Sequence, residues 1–465
     1  MKFDEAFVRR VVSSLEVLAF YGNEHRSFSC DKRRLRSGDL FIALKDKRGD
    51  GHDDVCEVLR NGASGCMIEH SNRGLVEQAK QQGLLDGKTV LLVQDTRKAL
   101  IELARAWRKE LTVPIVAITG SVGKTSVKYL VERMMRAYGK KTFVSCDNQH
   151  TLIDIALSLL NVHEDHEVAF FEVGVHKHGE MIFIADMLRP DTAVITNIGH
   201  AHMEGLGSLQ AIAAEQRQIF SFFVDKNVGI IDGDQPLLAS IGYMHPVVKF
   251  GFKMSNQVQA RKLVFSQSTA SFVFKIYHNK YSITTSDLYE GMIKNKLAAA
   301  ALAYYLGVPE AFIIKGIEEP FVVPGRFERK AFKDYEGSYL IYDAYNAHPE
   351  SMRASLFAFD RYETESKKVA LLGDMHELGI HSSFWHRQLG RLLYKVTSLD
   401  RVILVGKMVE WTRKTVPVNL PVTVVSSWEE ALHEVGNELK NPVTVLVKGS
   451  KAKGLDDFVS ALTEE

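Results

Sequence analysis

The chain has 465 residues, of which 46% are hydrophobic and 25% charged, and its formal net charge is +1. This composition is ordinary for a globular protein of about two to four domains, and the neutral balance excludes a general nucleic-acid-binding or membrane-surface protein. The opening MKFDEAFVRRVVSSLEVLAF carries charges throughout and is no signal peptide, and no apolar run reaches about 18 residues. Four cysteines show no C-x-x-C pair or metal-ligand spacing. A cytoplasmic protein is predicted.

Three α/β units follow one another along the chain. In the first, residues 1–88, the strand-like GDLFIAL precedes a helical pattern that ends near Gly62 and leads into another strand. In the second, residues 89–322, the strand-like runs TVLLVQD, PIVAITG, VAFFEVG, TAVITNIG and NVGIIDGD alternate with helical patterns, which predicts a mostly parallel sheet covered by helices. Residues 255–290 alternate polar and apolar positions and predict an antiparallel excursion before the helix NKLAAAALAYYLG. The third unit, residues 323–465, alternates again through YLIYDAY, KVALLGD, RVILVG and VTVLVKG.

The segment ITGSVGKTS, residues 118–126, predicts a phosphate-binding loop. It follows a buried strand and opens the helical pattern KTSVKYLVERMMRAYG, so that backbone N–H groups and the helix dipole would favour an anion. Lys124 would neutralise phosphate oxygens, and the Thr125 hydroxyl would bind Mg²⁺. The spacing from Gly120 is G-x-x-G-K-[ST], because Ile118 stands where the longer G-x-x-x-x-G-K-[ST] loop has its first glycine. The alternative interpretation is a glycine turn with an exposed lysine.

This loop spacing and several further segments resemble the Mur ligase family. The amino-terminal D-x-R…G-D-x-F-x-A-L…D-x-H pattern, the segment FEVGVHKHGEM and the segment ITNIGHAHMEGLGS all have counterparts there. In the last third, DAYNAHPESM, LLGDMHELG and LVKGSKAKGLDDFV resemble three family segments in the same order. The matching positions in the first two thirds are Asp31, Arg33, Gly38, Asp39, Phe41, His52, Glu172, Gly174, Gly179, Glu180, Asn197 and His202.

The resemblance implies the three-domain α/β architecture of Mur ligases. Residues 1–88 would bind a UDP sugar, residues 89–322 would form a central mononucleotide-binding domain, and residues 323–465 would form a Rossmann-like domain that closes over ATP. The implied activity is an ATP-dependent amide ligase that activates a carboxylate as an acyl phosphate. The segments are most similar to the branch that joins D-alanyl-D-alanine to UDP-N-acetylmuramoyl-tripeptide in peptidoglycan precursor synthesis. The expected cofactors are ATP and Mg²⁺, and the expected state is a monomer that binds small molecules but neither nucleic acid nor membrane.

Site residues are implied by the same resemblance. Glu172 ends the strand VAFFEVG, where α/β sheets bind ligands, and a carboxylate suits Mg²⁺. The expected catalytic residues are Lys124, Glu172 and His202, and the expected metal ligands are Thr125, Glu172 and His202; the alternative role for His202 is a substrate contact. The expected nucleotide contacts are Gly120, Ser121, Val122, Gly123, Lys124, Thr125, Ser126, Asn197 (beside adenine), Arg326, Asp343 and Asn346. The expected substrate contacts are Asp31, Arg33 and Asn148.

The chain departs from the family pattern near the chemistry. Where relatives have a lysine that is carbamylated and bridges to a second Mg²⁺, an ungapped alignment of IAAEQRQIF places Gln216, whose amide carries no charge. Glu215 is one residue away, about 100° around a helix, and is no clean substitute. The other departures, from asparagine and histidine in relatives, are His150, Thr151, Asp154, Gly291, Met292 and His348.

Three functional hypotheses therefore stay open. The chain is a divergent but active ligase of this branch, a relative with another carboxylate and amine (such as a polyglutamate-type ligase), or a nucleotide-binding homologue without catalysis. Seven of the 17 histidines lie between His150 and His202, but His176 and His178 are two apart and no H-x-x-x-H pair accompanies them, which disfavours a zinc site. The first hypothesis is favoured by the retention of Lys124, Thr125, Glu172, His202, Arg326 and Asp343.

Overall fold

A computed structural model gives the fold of most of the chain. None of the helices in the described ranges combines the length and the hydropathy that a membrane span requires. The structure describes residues 3–21, 27–46, 49–146, 151–266, 269–450 and 454–463.

The first sheet lies at the amino-terminal end and has five strands within the described ranges. Thr89–Val93 pairs parallel with Gly65–Glu69 and antiparallel with Glu16–Ala19, so this sheet extends past the expected boundary at residue 88. The apolar run TVLLV is compatible with any buried strand, so its sequence does not determine to which sheet the strand belongs. The strand order is Glu16–Ala19, Thr89–Val93, Gly65–Glu69, Leu40–Ile42 and Phe28–Ser29. The helices beside it are Glu5–Val11, Val55–Arg60 and Gly74–Gln81.

The second sheet forms the middle of the molecule, with nine strands among the described residues. It is parallel from Thr142–Val144 as far as Val258–Phe265, and the expected antiparallel excursion follows. Its order is Asn279–Thr285, Ala270–Ile276, Val258–Phe265, Val247–Gly251, Val228–Asp232, Thr192–Ile195, Ile115–Thr119, Val168–Glu172 and Thr142–Val144. Its helices are Thr96–Glu110, Lys124–Ala137, Leu152–Leu160, Glu180–Leu188, Met203–Leu206, Leu209–Arg217, Pro236–Ala239, Glu290–Tyr305 and Glu310–Glu318.

Helices cover both faces of this second sheet. In the strand Ile115–Thr119, Ile115 and Ala117 point into one buried cluster, whereas Val116 and Ile118 point into the other. Alternate residues of a strand face opposite sides, so a strand that is covered on both sides reads as a continuous apolar run. The strand is therefore buried along its length. The glycine loop follows its carboxyl end, which is the edge at which such sheets bind ligands.

The third sheet has six strands within the described carboxyl-terminal residues and is parallel apart from its first pair. Its order is Glu328–Ala331, Tyr339–Tyr342, Val443–Lys448, Lys367–Gly373, Arg401–Val405 and Val422–Val425. Its helices are Pro349–Arg361, Ser382–Leu392, Glu410–Arg413, Trp428–Gly436 and Leu455–Leu462. Loops from this sheet contact the second one directly, since the Glu204 N–H donates to the Glu377 carbonyl at 3.0 Å.

Candidate active site

The glycine loop between Ile115–Thr119 and Lys124–Ala137 has a conformation that requires its two glycines. Gly120 has a φ of 136° and Gly123 a φ of 84°, both in the region that side chains disfavour. A Cβ at Gly120 would lie 2.0 Å from the Thr196 Oγ1, and one at Gly123 would lie 2.2 Å from the Asn295 Oδ1. Polar side chains therefore pack closely against the two glycines. The loop leads directly into the helix Lys124–Ala137, whose first N–H groups can bind a phosphate.

Residues after the neighbouring strand Thr192–Ile195 hold this loop in place. The Asn197 Oδ1 accepts from the Val122 N–H at 2.9 Å, and the Asn197 carbonyl accepts from the Ser121 N–H at 3.0 Å. The Ser121 hydroxyl accepts from the Gly199 N–H at 2.8 Å. Asn197, expected beside adenine, thus uses its amide oxygen to shape the loop.

Lys124 is the cation of the loop. Its Nζ donates to the Gly120 carbonyl at 2.8 Å. Burial lowers the pKa of the Lys124 ammonium; the charges of Glu172 and Glu377 oppose this shift, and that of Arg326 adds to it. The two carboxylates and the guanidinium therefore lie within electrostatic reach of Lys124, and Glu377 and Arg326 come from beyond the second sheet.

Glu172 is buried at 2% exposure beside the loop helix. The Thr125 hydroxyl donates to its Oε1 at 2.9 Å, and the Lys128 Nζ lies 3.3 Å from its Oε2. The Ser145 Oγ accepts from the Glu172 N–H at 3.0 Å. A hydroxyl and a carboxylate side by side are the oxygen donors that Mg²⁺ takes when phosphates and waters complete its shell, so these residues fit the expected ion.

His202, expected as a ligand of that ion or as a substrate contact, has two close contacts with other side chains. Its Nδ1 lies 2.7 Å from the Glu377 Oε2, and its ring meets the His176 ring with centroids 4.4 Å apart. The spacing of His176 and His178 does not predict this cluster, because the partner of His176 comes from another loop.

The carboxyl-terminal residues of the expected nucleotide site lie in one region. The Arg326 guanidinium lies over the Tyr345 ring, 4.0 Å from its centroid. Asp343 follows Tyr339–Tyr342, and its Oδ2 is 3.2 Å from the Lys448 Nζ and accepts from the Ser355 hydroxyl. The same Lys448 Nζ donates to the Asn346 carbonyl at 2.7 Å, so that one buried lysine joins Asp343 to Asn346.

Glu350 links the second and third sheets. Its Oε1 lies 2.5 Å from the His200 Nδ1 and accepts from the His200 N–H at 3.1 Å, while its Oε2 is 3.3 Å from the His348 Nδ1. Although burial alone raises the pKa of Glu350, its hydrogen bonds with His200 and His348 hold that pKa well below the usual range. The carboxylate thus stays ionised between two imidazoles, and His348, a departure from the family pattern, takes part in this contact.

The expected substrate residues lie apart from this region or outside the described residues. Asp31 and Arg33 pair with each other, with the Arg33 Nη2 2.7 Å from the Asp31 Oδ2. Asn148 and His150 lie outside the described residues. Thr151 and Asp154 cap the helix Leu152–Leu160 through a reciprocal capping box.

Gln216 is 4% exposed, and its Oε1 has no hydrogen-bond partner among the described residues. Glu215 does not replace the missing anion, because its carboxylate accepts from the Gly179 and Met181 N–H groups at 2.9 Å each. The structure therefore has a buried neutral amide at the position for which the family resemblance implies a charged group.

Four residues of the site are absent from the sequence expectations: Lys128, Asn295, Glu350 and Glu377. Lys128 lies one helical turn after Lys124, which was a usable signal for a second cation on the same helix face. Glu350 and Glu377 lie inside the segments DAYNAHPESM and LLGDMHELG, so their presence near the site could have been inferred from the resemblance. Asn295 gave no signal, because its contact with the loop depends on how the helix Glu290–Tyr305 packs.

A glycine loop with a lysine, beside a hydroxyl and a buried carboxylate, defines a nucleotide-binding α/β protein equipped for phosphate chemistry. Residues 118–303 match the Mur ligase middle domain, and residues 325–451 match the Mur ligase glutamate ligase domain. The UDP-N-acetylmuramoyl-tripeptide–D-alanyl-D-alanine ligase of Bacillus subtilis is 30% identical over 437 residues, which are 93% of this chain and 92% of that one. The chain belongs to the Mur ligase family.

Solved structures agree with this assignment. MurF from Acinetobacter baumannii has a TM-score of 0.83 at 24% identity and covers 100% of this chain and 99% of its own, which shows the fold. The MurF ligase from Thermotoga maritima, solved in complex with ADP, has a TM-score of 0.76 at 25% identity over 94% of this chain and 96% of its own. The predicted fold class and family resemblance are confirmed.

Alanine at Gly120 tests whether the loop conformation matters for nucleotide binding. The new Cβ would overlap the Thr196 Oγ1 at 2.0 Å and would force a side chain onto a φ of 136°. We expect Gly120→Ala to lose the rise in melting temperature that ATP gives to the wild type. Gly436→Ala is the matched control, since its Cβ meets no atom within 4 Å. An unchanged ATP response in Gly120→Ala would show that the loop is not the nucleotide site.

Proposed function

We propose that the protein is an ATP-dependent ligase that joins D-alanyl-D-alanine to UDP-N-acetylmuramoyl-tripeptide. The main observation in support is that Lys124, Thr125 and Glu172 lie together at the glycine loop. Two charged residues from the carboxyl-terminal third, Arg326 and Glu377, lie within electrostatic reach of Lys124. The relatives named for this reaction support the choice of substrates.

The reaction has two displacements. An oxygen of the tripeptide carboxylate attacks the γ-phosphorus of ATP, ADP leaves, and an acyl phosphate forms. The amine of D-alanyl-D-alanine then attacks the acyl carbon, phosphate leaves with the former C–O bond electrons, and the amine loses a proton to the surrounding water. Such transfers depend mainly on positioning and charge neutralisation.

Each side chain of the site has a role in the first displacement. Lys124 neutralises the phosphate oxygens cradled by residues 120–126, which include Ser126, and Arg326 supplies a second cation from the third sheet. Thr125 and Glu172 would hold Mg²⁺, which supplies further positive charge against the phosphates when it is bound. Asp343 and Asn346, joined by Lys448, would contact the nucleotide from the other side.

The three sheets suggest how the substrates are divided. We assign the UDP sugar to the first sheet, near Asp31 and Arg33, ATP to the loop of the second, and closure over ATP to the third. Closure is supported by the two links that already join the last two sheets, His200 with Glu350 and His202 with Glu377.

The test is coupled phosphate release by purified protein with ATP and Mg²⁺. UDP-N-acetylmuramoyl-tripeptide and D-alanyl-D-alanine are added singly and then together. Release that requires both is the expected result. Release with glutamate as amine and no UDP sugar would instead indicate a polyglutamate-type ligase, and ATP binding without any release would indicate a homologue that has lost catalysis.

A further inference from the structure

Three side chains from three different loops converge at the junction of the second and third sheets. His176 follows the strand Val168–Glu172, His202 follows Thr192–Ile195, and Glu377 follows Lys367–Gly373. One donor atom from each lies within 4.8 Å of the other two. Within the described part of the chain this is the one such cluster of three histidine, cysteine or carboxylate side chains. We propose that His176, His202 and Glu377 form a binding site for a divalent transition-metal ion such as Zn²⁺ or Co²⁺.

The donor set selects the metal class. Two imidazole nitrogens and one carboxylate oxygen suit first-row transition ions, whereas Mg²⁺ takes oxygen ligands almost throughout. His176 and Glu377 are exposed, so water or a phosphate oxygen can fill the remaining coordination positions. The oxygen pair Thr125 and Glu172 is proposed above for Mg²⁺; of the three residues expected as ligands of that ion, only His202 belongs to this cluster.

Two residues of the cluster have backbone conformations that are unfavourable for non-glycine residues. His202 and Glu377 each have a φ of 60°, in the left-handed region that non-glycine residues seldom adopt. A Cβ at Gly205 would lie 1.9 Å from the His176 carbonyl oxygen, so the loop of His176 and the helix after His202 meet in direct backbone contact. Unfavourable backbone conformations of this kind concentrate at binding sites, where the surrounding structure fixes them.

Hydrogen bonds to the backbone hold the loops that carry His176 and Glu377. The Glu180 carboxylate accepts from the His176 N–H at 2.7 Å and the Lys177 N–H at 3.1 Å. On the other side, the Glu377 carbonyl accepts from the Glu204 N–H at 3.0 Å. The backbone positions that carry His176 and Glu377 are therefore set by the fold before any ion arrives, which lowers the ordering cost of binding.

The position of the cluster gives the ion a consequence. Glu377 belongs to the third sheet and the two histidines to the second, so an ion bound by all three ties these sheets together. Lys124 of the glycine loop lies within electrostatic reach of both His176 and Glu377. A cation held here therefore lies within electrostatic reach of the lysine of the glycine loop, and it has all three ligands only when the third sheet lies against the second.

The test uses the full, untagged protein, freed of metal by a chelator, with no ATP and no substrate present. Co²⁺ titration should give visible absorption bands that saturate at one ion per chain and are displaced by Zn²⁺. His176→Ala and Glu377→Gln should each weaken Co²⁺ binding by at least about tenfold. At the same concentration, Zn²⁺ should raise the melting temperature of the wild type by more than that of Glu377→Gln.

His178→Ala is the matched control, because His178 is an exposed histidine two residues from His176 and outside the cluster. It should bind Co²⁺ as the wild type does. Absence of Co²⁺ bands in the wild type would overturn the proposal without any variant. Equal binding in His176→Ala and wild type would also overturn it. Neither outcome bears on the ligase reaction, which is measured separately with Mg²⁺ and both substrates.

Discussion

Replacing Lys124 by methionine is expected to reduce substrate-dependent phosphate release on the order of 10³-fold or more. Methionine keeps an unbranched stem of similar length but removes the ammonium that donates to the Gly120 carbonyl at 2.8 Å. Phosphoryl transfer gains most of its rate from positioning and neutralising charge, so the loss should appear in kcat as well as in ATP affinity. The measurement is coupled phosphate release with both substrates over a range of ATP concentrations.

The melting temperature of Lys124→Met should show whether its loss of activity comes from the missing charge or from unfolding. Burial lowers the pKa of Lys124, which means that the fold disfavours its charge, and Arg326 adds a like charge nearby. Below the unfolded pKa the charged lysine therefore costs stability, and Lys124→Met should melt at the wild-type temperature or higher. Lys226→Ala, at an exposed loop position, is the matched control and should keep full activity. Full phosphate release by Lys124→Met would remove the ammonium from the mechanism.

The glycine loop could be predicted from sequence because its determinants are local. The buried strand, the two glycines and the lysine at the helix start lie within ten residues of one another, from Ile115 to Lys124, and the backbone conformations of the glycines follow from residue type. The antiparallel excursion of residues 255–290 was equally local, since period-2 alternation marks each strand. These are the parts of the structure in which short stretches of chain decide their own shape.

The pairings between loops could not be predicted in the same way. His202 was expected beside Thr125 and Glu172, yet its contacts are with His176 and Glu377, which lie 26 residues before it and 175 after it. Which loops meet depends on the order of strands within each sheet and on how the two sheets face each other. Thr89–Val93 shows the same limit, because the run TVLLV suits a buried strand of either sheet.

The buried pair of Glu172 and Lys128 allows stability and chemistry to be separated. The two side chains are 2% and 0% exposed, and their charged atoms lie 3.3 Å apart. Removing one partner of a buried ion pair costs about 3–5 kcal/mol, because the remaining charge loses the opposite charge beside it in the interior. We therefore expect Glu172→Gln and Lys128→Met each to lower the free energy of unfolding by roughly that amount in urea titrations.

The double variant Glu172→Gln/Lys128→Met decides between two accounts of Glu172. With both charges of the pair gone, the loss that follows from removing only one of them no longer applies, and most of the lost stability should return. Phosphate release should stay absent, because the carboxylate proposed to hold Mg²⁺ beside Thr125 is missing. Lys128→Met alone keeps that carboxylate and should retain measurable release despite its lower stability. If the double variant recovered activity together with stability, Glu172 would be a structural partner of Lys128, and the metal would have to be held elsewhere.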